Sequence, residues 1–197
     1  LDLSALTTVV GSLDASSNAS MSSLDLGALT TVGGSFDVSE NASMSSLDLS
    51  ALTTVGGSID ASDNASMNSL DLSALTTVSG NLTIASNAPD AVVDLNSLTA
   101  FGCGTNEVTM TLDGGTVQMT NGLTLCTNAT LTGSTTVDGS VTNNGTIAPG
   151  ASPGQLNLTG HLVLATSSRL RLEIGGYAPS QFDVVNVAGG VTLGGTL

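Results

Sequence analysis

Leu1-Asp2-Leu3-Ser4-Ala5-Leu6-Thr7-Thr8-Val9 opens the chain, and the pattern returns at Leu24, Leu47 and Leu70, at intervals of 23 residues. A weaker fifth copy begins at Val93, with Asp94, Leu95, Leu98 and Phe101 in the matching places. The rest of the unit repeats as well. Leu13, Phe36, Ile59 and Leu82 correspond, as do Asn18, Asn41, Asn64 and Asn87; Met21, Met44 and Met67 correspond, and their fourth counterpart is Asp90. Within each unit the apolar residues alternate with polar ones, as in Leu1, Asp2, Leu3 and in Leu13, Asp14, Ala15, Ser16, the two-residue period of a strand. Gly, Ser and Asn clusters separate these short runs and read as turns. So small a unit cannot bury its own apolar side, whereas stacked copies form a continuous core. Equivalent residues then lie one above another at roughly 4.8 Å. The expected fold is all-β, a right-handed parallel β-helix (β-solenoid) of about eight or nine coils, a rod on the order of 40 Å long at that spacing.

From about residue 104 the repeat loosens while the strand pattern persists in Val108, Met110, Leu112, in Val117, Met119 and in Leu123, Leu125. Gly114-Gly115, Gly133 and Gly139 mark turns. We therefore divide the chain into a regular 23-residue-repeat solenoid over 1–102 and a less regular solenoid over 103–197 that continues the same rod.

Composition narrows the function. Among 197 residues there are 16 acidic side chains against 2 basic ones, a formal net charge of −14. The two basic residues are Arg169 and Arg171; lysine is absent. Binding to nucleic acid or to an anionic membrane through charge is thereby disfavoured, because phosphate contacts need Lys and Arg. With 40% hydrophobic residues this is not a disordered acidic segment. Aromatics are only 2%, so Leu, Val, Ile, Ala and Met must fill the core. No apolar run is long enough to span a membrane as a helix.

The last third carries a resemblance. Asn144-Gly145-Thr146-Ile147-Ala148-Pro149-Gly150-Ala151-Ser152-Pro153-Gly154-Gln155-Leu156 and its continuation Asn157-Leu158-Thr159-Gly160 resemble the NGT-APG-SPG-L stretch of bacterial autotransporter passengers and related secreted β-helix proteins. Ser168-Arg169-Leu170-Arg171-Leu172-Glu173-Ile174, then Phe182-Asp183-Val184-Val185-Asn186-Val187 and Val191-Thr192-Leu193-Gly194-Gly195-Thr196-Leu197, continue it over about residues 130–197. The first hundred residues are similar to the leucine-patterned repeats of receptor L-domain-like solenoids. The resemblance implies a right-handed β-helix displayed on, or shed from, a bacterial surface. No translocator barrel follows in this chain. It starts without Met at the beginning of a repeat, as expected of a processed or excised segment. It stops at Leu197 inside a strand pattern, so a larger parent protein, or an end that meets a neighbouring subunit, is expected.

Several columns of side chains are candidate sites. Asp2, Asp25, Asp48, Asp71 and Asp94 form one, and Asp14, Asp37 and Asp60 a shorter one ending at Thr83. Carboxylates about 4.8 Å apart repel by roughly 1 kcal/mol per neighbour in water. Calcium held between coils by Asp14, Asp37 and Asp60 would relieve this, since hard cations take oxygen ligands; a solvated face, or side chains bonded to turn amides, is the alternative. Thr7-Thr8, Thr30-Thr31, Thr53-Thr54 and Thr76-Thr77 form a threonine array that could bind ice, although Leu6 and Val9 both point to the core and place the pair at a bend. Threonine also simply favours strands.

The asparagine column Asn18, Asn41, Asn64, Asn87 reads as a structural ladder of stacked amides at a turn that tolerates left-handed backbone. The first three also match the glycosylation sequon, as do Asn81, Asn128, Asn144 and Asn157. Cys103 and Cys126 lie one repeat apart, which, where the period holds, puts them on adjacent coils within reach of a disulfide; two stacked buried thiols are the alternative. His161 should start a strand at the surface, and Arg169, Arg171 and Glu173 share one side of another, an arrangement for a local ion pair.

An enzyme is not expected. A catalytic cleft normally brings long loops and aromatics, and these units are short, uniform and nearly free of both. The favoured function is a structural extracellular β-solenoid at the bacterial cell surface: a filament subunit or the stalk of an adhesin. Its partners are copies of itself, head to tail, or the remainder of a larger surface protein, with no nucleic acid and no direct membrane insertion. The alternative is a ligand-binding solenoid, using the Asp or Thr columns for calcium-dependent carbohydrate binding or for ice.

Overall fold

The computed structural model describes residues 1–150, 153–178 and 181–194; Ala151, Ser152 and the strand ending expected at Leu197 lie outside them. The described residues are all-β, with no helix among them, and the strands stack in parallel ladders on three faces. A four-stranded sheet holds Thr8–Val9, Thr31–Val32, Thr54–Val55 and Thr77–Val78. An eight-stranded sheet runs from Leu13–Asp14 through Phe36–Asp37, Ile59–Asp60, Leu82–Ile84, Val108–Leu112, Ala129–Gly133 and Thr146–Pro149 to Arg169–Leu170. A ten-stranded sheet follows Ser46–Asp48, Ser69–Asp71, Val92–Asp94, Thr116–Leu125, Thr135–Asn143, Gln155–Leu158 and Val184–Val187, joined by Ala100–Phe101, Leu162–Leu164 and Val191–Leu193. This is the arrangement of a β-solenoid.

The repeat interval sets the register. Phe36 pairs with Ile59, Ile59 with Leu82, and Leu47 with Leu70, each 23 residues on. Identical side chains therefore stack, and Leu26, Leu49, Leu72 and Leu95 are fully buried. Each such leucine contributes about 1.5–3 kcal/mol by leaving water. The fifth copy takes its place in the core through Val93, Leu95, Leu98 and Phe101. At the fourth methionine position Asp90 is exposed and the neighbouring Ala91 is buried. A carboxylate without a partner stays in water rather than entering an apolar column. Tight corners need glycine: a Cβ on Gly57 would come within 2.8 Å of the Ser35 backbone nitrogen.

Beyond residue 102 the core columns continue while the coil length varies. Leu82 stands over Met110, 28 residues on, yet Leu131 stands over Ile147, only 16 on. Thr116–Leu125 and Thr135–Asn143 pair along their length but shift register between Met119 and Leu123, so each turns a corner within one strand. Pairing crosses residue 102 on two faces, Leu82 to Met110 and Val93 to Val117. On the third it does not: Thr77–Val78 ends its sheet, and Ala100–Phe101 pairs onward with Thr124 and Leu125. Beyond Arg171 the chain makes a detour from the ladder, and an antiparallel bridge joins Ile174 to Phe182.

Candidate functional site

The outward columns are held by local hydrogen bonds. Asp14, Asp37 and Asp60 each accept, at Oδ1, the backbone N–H and the hydroxyl of the serine two residues on, at 2.6–3.0 Å. Asp2, Asp25, Asp48, Asp71 and Asp94 accept the N–H two residues on in the same way. The columns are thus built of Asx turns, in which the carboxylate substitutes for a backbone acceptor. The charge is favoured where it accepts these bonds. The Ser4 hydroxyl and then its N–H hold the Asp2 carboxyl below the usual carboxylate range, and the N–H groups of Ser16 and Ser50, then their hydroxyls, do so for Asp14 and Asp48. Among the described residues, no group of three or more His, Cys, Asp or Glu side chains gathers as metal ligands would.

The threonine array is divided between two tasks. Thr8, Thr31, Thr54 and Thr77 lie within strands and form one outward rank. The hydroxyls of Thr30, Thr53 and Thr76 instead donate to the carbonyls of Thr7, Thr30 and Thr53. Only one rank of each pair lies in the flat ladder, because the preceding threonine is spent on stitching coils together at the corner.

The asparagines form a ladder in the interior. The N–H of Asn18 donates to Oδ1 of Asn41, that of Asn41 to Asn64, and that of Asn64 to Asn87, at 2.9–3.1 Å. Asn41 and Asn64 are completely buried, so neither has room for a glycan. The left-handed residue at this turn is the one before the asparagine: Ser17, Glu40, Asp63 and Ser86 have φ of 55–58°. Placing the turn there frees the asparagine to point inward. A second ladder, of serines, escaped the sequence reading. The N–H groups of Ser35, Ser58 and Asn81 donate to the hydroxyls of Ser12, Ser35 and Ser58. Its signal was present in the repeat as a serine before Leu13, Phe36 and Ile59, replaced by Asn81 before Leu82, with nothing to distinguish it from an ordinary turn serine.

Cys103 and Cys126 are joined by a disulfide, with their Cα atoms 4.9 Å apart. The local coil is 24 residues long rather than 23, since Ala100 pairs with Thr124. The bond sits beside the break in the third face, where Thr76, Val78, Ala100, Gly102 and Cys103 line a cleft of about 420 Å³. Gly102 has a φ of 70°, and a Cβ there would strike Ala129.

In the last third, His161 is exposed, precedes Leu162–Leu164 and accepts the Gly190 N–H at Nδ1, 2.7 Å away. Arg169 begins a strand that ends at Leu170; Arg171 follows it with its N–H still bonded to the Ile147 carbonyl, and Glu173 lies beyond, where the chain has left the ladder. Both arginines are exposed. The residue that organises this region is Asp183, which sequence reasoning passed over. It is buried, accepts the Gly154 N–H at Oδ1 (2.7 Å) and the Glu173 N–H at Oδ2 (2.8 Å), and so ties the loop after Pro149 to the far side of the detour. Comparison with protein-family models, with curated proteins and with solved structures finds no match.

Proposed function

We propose that the chain is a structural β-solenoid of a bacterial cell surface, a filament subunit or the stalk of an adhesin, whose cross-section is covered by another coil. We take the coil to be right-handed, with eight or nine turns, and the setting to be extracellular, in keeping with the autotransporter-like stretch and with a disulfide. The observation that carries the reading is the state of the first coil. Leu3, Leu6, Val9, Leu13 and Met21 are only partly buried, whereas their counterparts one coil on, Leu26, Leu29, Val32, Phe36 and Met44, are at most 1% exposed. At the other extreme Leu170, Val185 and Val187 are likewise only partly buried. Apolar cross-sections flanked by unpaired strand edges recruit further strands. When the two ends differ, the contact does not close, and it gives a fibre. The covering coil belongs to a second copy or to the remainder of a longer surface protein.

Electron microscopy of the purified chain, with Leu6→Glu/Leu13→Glu beside it, tests this. Unbranched fibres or end-to-end oligomers are expected, and the double substitution should abolish them. Monodisperse single rods at high concentration would remove the filament reading, and calcium-dependent melting of such rods would favour a binder instead.

A further inference from the structure

The eight-stranded sheet carries opposite charge at its two ends, and we infer that it is a self-complementary surface on which a second copy of this chain docks side by side in antiparallel orientation. Its outward positions read, in register, Asp14, Asp37, Asp60, Thr83, Thr111, Thr132 and Ala148. A neighbouring outward rank runs through Thr109, Thr130 and Thr146 to Arg169. Arg171 follows directly, its N–H still bonded to the Ile147 carbonyl. One end of the face is therefore acidic, the middle is threonine, and the other end holds both cationic side chains of the chain.

Two arginines in a protein with 16 acidic side chains have many places to be, and they occupy adjacent positions at the end of the sheet farthest from its aspartates. They line a polar groove of about 480 Å³ with Thr109, Thr130, Thr146 and Glu107. Glu107 lines this groove, and Glu173 and Asp183 line the adjoining one beside Arg171, so the two guanidiniums stand among carboxylates and are the only Arg or Lys side chains the face can offer an acidic partner. The aspartates at the opposite end each use Oδ1 in an Asx turn, which leaves Oδ2 available to an incoming guanidinium.

Two-fold contacts require each patch to meet its own complement. With eight strands in order, an antiparallel pair sets the first strand of one copy, Leu13–Asp14, against the last of the other, Arg169–Leu170. The central strands then meet threonine to threonine, and the ion pairs form twice. Parallel packing would instead set aspartates on aspartates, which no lysine relieves. This surface lies on the flank of the rod and does not depend on the end-to-end contact proposed above.

Sedimentation and small-angle scattering at low and high salt test it, using Leu3→Glu/Leu6→Glu protein, altered outside the eight-stranded sheet, so that end contacts are removed. A dimer of unchanged length and larger cross-section is expected. It should weaken about tenfold or more between roughly 20 and 500 mM NaCl as screening shortens. Asp14→Asn/Asp37→Asn/Asp60→Asn keeps the turn acceptor and removes only charge; it should weaken the dimer by a similar factor although it lowers the net repulsion between copies. Arg169→Glu/Arg171→Glu alone should be monomeric, and mixing it with Asp14→Arg/Asp37→Arg protein should restore dimers. A monomer at low salt, an association strengthened by the asparagine substitutions, or a dimer of doubled length would each overturn the inference. If the arginine substitutions of the aspartates fail to fold, judged by circular dichroism, the asparagine set decides.

Discussion

The backbone N–H of Asn41 donates to Oδ1 of Asn64 at 2.9 Å across 23 residues of sequence, between two fully buried side chains. Each asparagine thus satisfies the backbone of the coil before it, while its own Nδ2 bonds nearby carbonyls such as Ser62 O for Asn64. Removing one amide strands a donor away from water, which costs about 1–3 kcal/mol. Asn64→Ala should therefore destabilise by at least that much in urea unfolding followed by circular dichroism. Asn18→Ala should cost less, because Asn18 is exposed. Asn64→Asp keeps an acceptor but buries a charge and removes the Nδ2 donor, so it should be no milder than alanine.

Left-handed backbone at Ser86 is held without glycine. A non-glycine residue in that region carries a cost of about 1 kcal/mol. Ser86→Gly should recover part of it, up to about 0.5–1 kcal/mol against the larger unfolded entropy of glycine. A raised Tm by calorimetry is the expected result; an unchanged or lowered one would show the strain to be relieved elsewhere.

The disulfide closes a loop with a sequence separation of 23 residues. Loop-closure entropy puts its contribution at roughly 3 kcal/mol. Cys103→Ser/Cys126→Ser should lower stability by about that amount, and hydrogen exchange should quicken first around Ala100–Phe101, which has lost its neighbour on the side of Thr77–Val78.

Carboxyls held below the usual range by turn amides stabilise the fold above the unfolded value near 4, and that contribution is lost as pH falls through the lower folded value. Asp2, Asp14 and Asp48 are of this kind. Stability from these turns should be flat from pH 7 to about 5 and fall below about 4. Asp48→Asn retains the acceptor without the charge, so thermal melts of that variant should show a shallower acid decline.

Asp183 holds Gly154 and Glu173 from opposite sides. Asp183→Ala leaves both N–H groups without an acceptor and should cost about 2–4 kcal/mol on the usual scale for charged acceptors. Hydrogen exchange should show the loss confined to the segments around 153–155 and 171–183, with the asparagine ladder unaffected.

Equal spacing of Leu3, Leu26, Leu49 and Leu72 was enough to deduce stacked coils, because copies that cannot bury themselves must bury one another. Two-residue alternation told which side of each short strand faces the core. Spacing alone put the cysteines on adjacent coils, since a near-repeat interval lands there even where the coil is one residue longer; that they are bonded rather than stacked thiols is seen in the structure. What the sequence left open was how each polar side chain is spent. Asp14 and Asp183 are both aspartates in strand-like surroundings, yet one closes its own turn and the other joins segments far apart in the chain. The varying coil lengths beyond residue 102 depend on how far each corner bulges, and only the packed neighbours above and below fix that. For the same reason the placing of Asp14 and Arg169 at opposite ends of one sheet is a product of the whole stack: their places follow from every intervening register, each set by burial of the column beneath.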